Sequence, residues 1–254
     1  MNKQANSVRK IGTFSSISVA TSLLILLLST AVYSMQPAVT QDQEYGQWLE
    51  FGSSSASGGG ISDNNDASHD PSLAISPGGT PMIAWNDQSD DNNSVYLRFW
   101  NGGSWVELGS DSASGGGISN SAGQSADPSL AFSSNGIPVV AWQDDTPGNN
   151  EIYVRRWNGT IWGEYGRGAA TGGGISDDET DSNSPSMAIG PTSTPIIAWH
   201  NRDESLNEDI YVRYWNGAAW VELGSGSASD DGISATGIAI LPSLAISPDG
   251  TPIV

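Results

Sequence analysis

The chain has 254 residues, with 31 glycines, 13 prolines, 10 tryptophans and no cysteine, and its formal net charge is −19 although only 15% of it is charged. The missing cysteines exclude disulfides and thiolate metal sites. So acidic a surface repels the phosphates of nucleic acid and anionic membrane surfaces, and leaves cations as its natural counter-ligands.

The first segment is basic, then apolar. Lys3, Arg9 and Lys10 precede the run from Ile17 to Leu28, and no acidic residue occurs before Asp42. This order marks a signal peptide over residues 1–34, with cleavage after Ser34. The alternative is an uncleaved N-terminal membrane anchor, a single hydrophobic helix, since Ile11 to Val32 is nearly long enough to span a bilayer. Either way the remainder is expected outside the cytoplasm, secreted or at the cell surface, touching membrane only through this segment. Residues 35–47 are a short polar spacer.

From residue 48 onward the chain repeats itself. Pro71, Pro128, Pro185 and Pro242 are 57 residues apart, and so are Trp85, Trp142 and Trp199. A fixed period of this length marks a repeat architecture. Each unit holds four strand-like segments. The first is Pro-Ser-Leu/Met-Ala-Ile/Phe, with apolar residues two apart. The second is Pro followed by two mostly branched aliphatic residues, Ala and Trp, a nearly continuous apolar run. Turns such as Ser76-Pro77-Gly78-Gly79 and Ser133-Ser134-Asn135-Gly136 join the two as a hairpin. The third segment alternates aliphatic residues with Tyr and Arg, as in Ile152-Tyr153-Val154-Arg155, and ends at Trp100, Trp157 and Trp215. Asn-Gly follows each time, the strongest short hairpin signal, and a fourth segment opens at Trp105, Trp162 and Trp220.

Four antiparallel strands joined by tight turns make a blade of a β-propeller. The expected fold is therefore all-β: a propeller of four-stranded antiparallel blades, preceded by the N-terminal hydrophobic helix. Residues 48–254 hold an orphan fourth strand at 48–52, blades at 71–109, 128–166 and 185–224, and a truncated blade at 242–254. About three full blades plus fragments cannot close a ring, since propellers have roughly four to eight blades. This predicts a natural protein with more repeats; an open arc, or closure between chains, are the alternatives.

The pattern Pro-Ser-Leu-Ala-Ile-Ser-x-x-Gly-x-Pro-x-Val-Ala-Trp, followed by Ile-Tyr-Val-Arg-x-Trp-Asn-Gly-x-x-Trp, resembles the repeats of secreted bacterial β-propeller proteins. More distantly, Ser247-Pro248-Asp249-Gly250-Thr251 is similar to the Asp-box of sialidases, but it lacks the residue between Asp and Gly and carries Pro252 where the box has Trp. It reads as a turn. The resemblance implies the propeller architecture, which hosts lectins, hydrolases, scaffolds and adhesion modules, and selects no activity.

Candidate sites lie where the repeat deviates or where loops are polar. Trp142 and Trp199 suit stacking on a sugar face, although their recurrence equally suits packing between blades. Arg156 replaces the aromatic of Phe99 and Tyr214, and His200 replaces a polar residue of the region around Asn86 and Asp87. These four are the candidate ligand-binding residues. Asp90, Asp91, Asp144, Asp145, Glu208 and Asp209 lie in or beside loops whose oxygens could serve calcium, against the simpler reading of solvated acidic loops. The Gly-rich loops at 58–62, 115–119 and 172–176 lack the helix and Lys of a phosphate cradle. They are expected to be permissive backbone at the crossing between blades, with their Ile tucked against the neighbour. Arg98, Arg155 and Arg213 are equivalent positions, expected to pair with strand carboxylates or stack on Trp. His69 and His200 are the only side chains that titrate near neutrality unperturbed, and they fall at unlike repeat positions. The expected function is an exported binding or scaffold module recognising an extracellular glycan or protein. A propeller-fold carbohydrate-active hydrolase and a purely structural surface repeat are the alternatives.

Overall fold

Segments rich in aliphatic and aromatic residues, punctuated by Pro, Asn and Gly, fold as short antiparallel strands in the computed structural model, which describes residues 50–52, 54–88 and 92–254. The segments expected to be a signal peptide or anchor helix and a spacer, together with Trp48, Asp90 and Asp91, lie outside these residues. Blade 1 comprises β1 (Ser68–Ile75), β2 (Pro81–Asp87), β3 (Ser94–Trp100) and β4 (Trp105–Val106). Blade 2 comprises β5 (Ser125–Phe132), β6 (Pro138–Asp144), β7 (Glu151–Trp157) and β8 (Trp162–Glu164). Blade 3 comprises β9 (Asp181–Ile189), β10 (Pro195–Arg202), β11 (Glu208–Trp215) and β12 (Trp220–Glu222), and β13 (Ala245–Ile246) pairs with β14 (Pro252–Ile253). Each four-stranded sheet follows chain order, strand beside next strand, as an antiparallel meander. Among the described residues there is no helix.

The first strands begin before their prolines, at Ser68, Ser125 and Asp181. They pass the proline through a bulge, with register shifts between His69 and Ser72 and between Ala126 and Ser129. Asp70, Asp127 and Ser184, each just before a proline, take φ of 48°, 50° and 51°. Proline has no N–H to give a ladder, so a bulge on a strand paired along one side accommodates it.

The second strand is apolar from its proline to its tryptophan because both of its faces are buried there. In β6, Val140 and Trp142 join a core with Met82, Ala84, Val95, Leu97 and Ile118 of the preceding repeat. Val139 and Ala141, on the opposite face, join Met187, Ile197 and Trp199 of the following one. The same alternation splits β7: Ile152 and Val154 pack forward, Tyr153 packs backward.

Polar bonds repeat with the packing. Ser72, Ser129 and Ser186 Oγ accept the N–H of Leu130, Met187 and Leu244, each at 2.9 Å. Trp105, Trp162 and Trp220 Nε1 donate to the carbonyls of Phe51, Leu108 and Tyr165, at 3.2, 3.2 and 2.7 Å. Glu50 to Gly52 form no strand, yet Phe51 packs on Trp100 with ring centroids 4.9 Å apart, as Tyr165 packs on Trp215.

The Gly-rich loops carry the crossing. Ile118 and Ile175 N donate to Val95 and Ile152 O, both at 2.7 Å, and both side chains are buried. Gly174 has φ +65°, and a Cβ there would stand 2.2 Å from Ile152 O. Only glycine supplies both the left-handed backbone and the close approach.

Candidate functional site

The arginine of the third strand organises the surface of blade 2. Arg155 follows Tyr153 on the face turned to blade 1, and its Nη1 donates to Ile118 O of the preceding Gly-rich loop. Arg98 makes the equivalent bond to Ile61 O at 2.6 Å, and Arg213 to Ile175 O. The expected carboxylate partners are therefore replaced by backbone carbonyls. The stacking expectation holds in part, since the Arg155 guanidinium lies 5.9 Å from the centroid of the Trp142 ring. Burial pushes the Arg155 pKa below its ordinary value, opposed by the charges of Glu164 and Asp144.

Around Arg155 is a cleft of about 260 Å³. Its floor is Trp142 and Tyr153, stacked with centroids 5.9 Å apart and planes at 27°. The Tyr153 hydroxyl donates to Gly172 O. Burial, then the charges of Asp144, Glu151 and Asp177, raise its pKa well above the ordinary phenol value and keep it neutral. The rim is polar: Asn120 and Ser121 from one loop, Thr146 from a second, Thr171 from a third. Among the described residues Asp144 is the one carboxylate lining this cleft. Its Oδ2 accepts Ser121 and Ser125 Oγ, both at 2.5 Å, and its Oδ1 accepts Thr146 N at 2.9 Å and Thr146 Oγ1.

Asp144 belongs to a polar station repeated in each blade, tying the end of the second strand to the loop before the first. In blade 1, Asp87 accepts Asn64 Nδ2 at 2.9 and 2.8 Å, Ser68 Oγ at 2.7 Å and Trp85 Nε1 at 2.8 Å. In blade 3 the partners have exchanged roles: Asn201 Nδ2 donates to Asp178 Oδ2 at 2.7 Å and to Ser182 Oγ at 3.3 Å. One carboxylate per station is kept although its place in the sequence changes. The indoles differ too. Trp85 has Asp87 as acceptor, whereas Trp142 and Trp199 Nε1 are buried without a partner.

The sequence candidates do not converge. Trp142 lies under the cleft and Trp199 is its equivalent in blade 3; each is 1% exposed. His200 is buried beside Trp199, with Nδ1 unpartnered, and burial lowers its pKa, so the ring is neutral at pH 7. Arg156 is exposed on the other face of β7, with its guanidinium 4.6 Å from the Tyr165 centroid. Of the carboxylates, Asp145 accepts Gln124 N at 2.6 Å, and Glu208 lies 3.9 Å from Arg202. Asp209 accepts Ser234 Oγ, Thr236 N and Gly237 N, which together outweigh desolvation and lower its pKa. Among the described residues no three His, Asp or Glu side chains stand close enough to hold a metal ion. Arg155 and Asn120 were not among the sequence candidates. Asn120 had a signal, because it stands where two other copies of the loop carry Asp63 and Asp177 and the fourth carries Ala235.

A second opening, of about 430 Å³, lies between blades 1 and 2 and is lined by Asp111, Gly115 to Gly117, Asn120, Arg155, Ile161 and Trp162, among others.

No family model and no curated protein sequence matches the chain. Solved structures do. A fucose lectin from Kordia zhangzhouensis in complex with methyl-fucoside is 12% identical with a TM-score of 0.39, over 60% of this chain and 96% of the lectin. A glycosyl hydrolase from Bacteroides ovatus is 12% identical with a TM-score of 0.40, over 65% of this chain and 51% of its own. A Hadza microbial sialidase is 12% identical with a TM-score of 0.42, over 61% of this chain and 36% of its own. The chain thus spans about half or less of the two hydrolases.

Proposed function

We propose that the repeats form an exported carbohydrate-binding module of propeller architecture, seating a sugar in the cleft beside Arg155. The supporting observation is the composition of that cleft. An aromatic pair, a guanidinium and hydroxyl and amide rims meet in one concavity, the mixture of apolar wall and few directed polar groups that ligand sites use. Its volume of about 260 Å³ falls just below the roughly 300–1,000 Å³ of drug-sized pockets, which suits a single pyranose ring.

Binding is favoured over glycoside hydrolysis because hydrolysis needs two opposed carboxyl groups, about 5–9.5 Å apart. Among the described residues Asp144 is the one carboxylate at this cleft, and four donors occupy its oxygens. Export rests on the basic-then-apolar order of residues 1–34. A glycan array probed with the full chain tests the function. Retention on at least one glycan, weakened by Thr171→Trp, which fills the cleft from its exposed rim, is the expected result. Retention that Thr171→Trp leaves unchanged would move the site elsewhere.

A further inference from the structure

Blade 2 departs from its neighbours at several positions, and these surround Arg155. Asn120 replaces the acids Asp63 and Asp177. All three backbones are left-handed, with φ of 39°, 50° and 45°, so the exchange alters chemistry without altering the turn. An amide both donates and accepts, whereas a carboxylate only accepts. Ile161 replaces Ser104 and Ala219 in the hairpin between the third and fourth strands. It is 59% exposed, a large apolar side chain with nothing packed over it. Beside it stands Trp162, half-buried.

Asn120 lines both the cleft in blade 2 and the opening between blades 1 and 2, and so does Arg155. The two concavities are therefore neighbours across one guanidinium and one amide. Gly115 to Gly117 leave the second opening without side chains along one side. Ile161 and Trp162 give it an apolar wall.

We propose that the cleft and the inter-blade opening are adjoining subsites of one site, present once in this chain, that takes an oligosaccharide of at least two sugar units. This rests on the carbohydrate reading above. The cleft holds one ring, Asn120 and Arg155 face the linkage region, and Ile161 and Trp162 cover the apolar face of the next ring. Blades 1 and 3 lack the second subsite because Ser104 and Ala219 offer no wall and because Asp63 and Asp177, which as carboxylates only accept, stand in place of the Asn120 amide, which also donates.

The test is calorimetric titration of the full chain with methyl glycosides of common hexoses and with the matching di- and tetrasaccharides. The expected result is one oligosaccharide bound per chain, at least tenfold tighter than its monosaccharide. Ile161→Ser, which installs the residue of blade 1 at an exposed position, should cut that advantage severalfold. Ala219→Ile in blade 3 should leave both affinities as they are. Equal affinity for monosaccharide and oligosaccharide, or three equivalent sites per chain, would overturn the inference while leaving the carbohydrate reading standing. Binding of none of these sugars, nor of any glycan on the array, would remove both.

Discussion

Exchanging the charged and neutral partners of the blade 3 station tests whether each blade needs a single carboxylate there. Asn201→Asp replaces an amide that donates to Asp178 at 2.7 Å and is 5% exposed. Two ionised carboxylates at that separation would repel by about 6 kcal/mol at an effective dielectric of 20. The pair escapes by keeping one proton, and holding a proton at pH 7 on a group that titrates near 3.9 costs about 4 kcal/mol. A protonated acid can also donate the bond the amide gave. The expected loss is therefore about 3–4 kcal/mol at pH 7, shrinking by about 1.4 kcal/mol per pH unit toward pH 4. Asp178→Asn alone should cost about 1.5–3 kcal/mol through loss of a charge-assisted bond. Both changes together recreate the order of Asn64 and Asp87 in blade 1 and should return to within about 1 kcal/mol of the parent, a strong non-additive coupling. Urea unfolding followed by tryptophan fluorescence, at pH 7, 5.5 and 4, reads all four proteins. A double variant as weak as the sum of its parts, or a loss from Asn201→Asp that ignores pH, would refute the reasoning.

Three further outcomes follow from the same contacts. Burial is the largest influence on Glu151 and raises its pKa from 4.5 to about 7, against hydrogen bonds from Ser176, Asn149 and the Asp178 N–H. Its contribution is thus fully present below pH 4.5 and lost as pH rises through 7; thermal melts of Glu151→Gln should lack this component, and melts parallel to the parent between pH 4.5 and 8 would contradict it. Gly174→Ala puts a Cβ 2.2 Å from a backbone oxygen at φ +65°, whereas Gly172→Ala, at φ +60°, meets open space. The first should cost at least 2 kcal/mol more than the second, which bears only the roughly 1–2 kcal/mol of left-handed strain; equal losses in urea would show that the loop does not sit against Ile152. Since hydroxyl and amide donors occupy Asp144 and Asp209, Asp144→Asn and Asp209→Asn should leave the response of the Tm to millimolar calcium as it is in the parent, and a calcium-dependent rise of several degrees that either substitution abolishes would reveal a cation site there.

The period, the strands and the turns were legible in the sequence because each is written locally. Asn-Gly after a Trp is a hairpin on its own, and the second strand reads as unbroken apolar sequence because both of its faces meet a neighbouring blade. The role of the Gly-rich loops followed as well, since an isoleucine among glycines has no apolar partner within its own segment. What Arg155 does was not legible. Its acceptor, Ile118 O, is 37 residues away and is a backbone atom, which no side-chain pattern reports. The exchange between Asn64–Asp87 and Asp178–Asn201 was equally hidden, because partners 23 residues apart become a pair only when the loop folds back on the strand end. Trp142 and Trp199 are identical in the repeat and alike in burial, and only the folded chain puts an opening beside the first. Local sequence determines where the backbone can turn and which faces must leave water. Which polar groups then meet is decided by the stacking of one blade on the next, and the candidate site is made of those meetings.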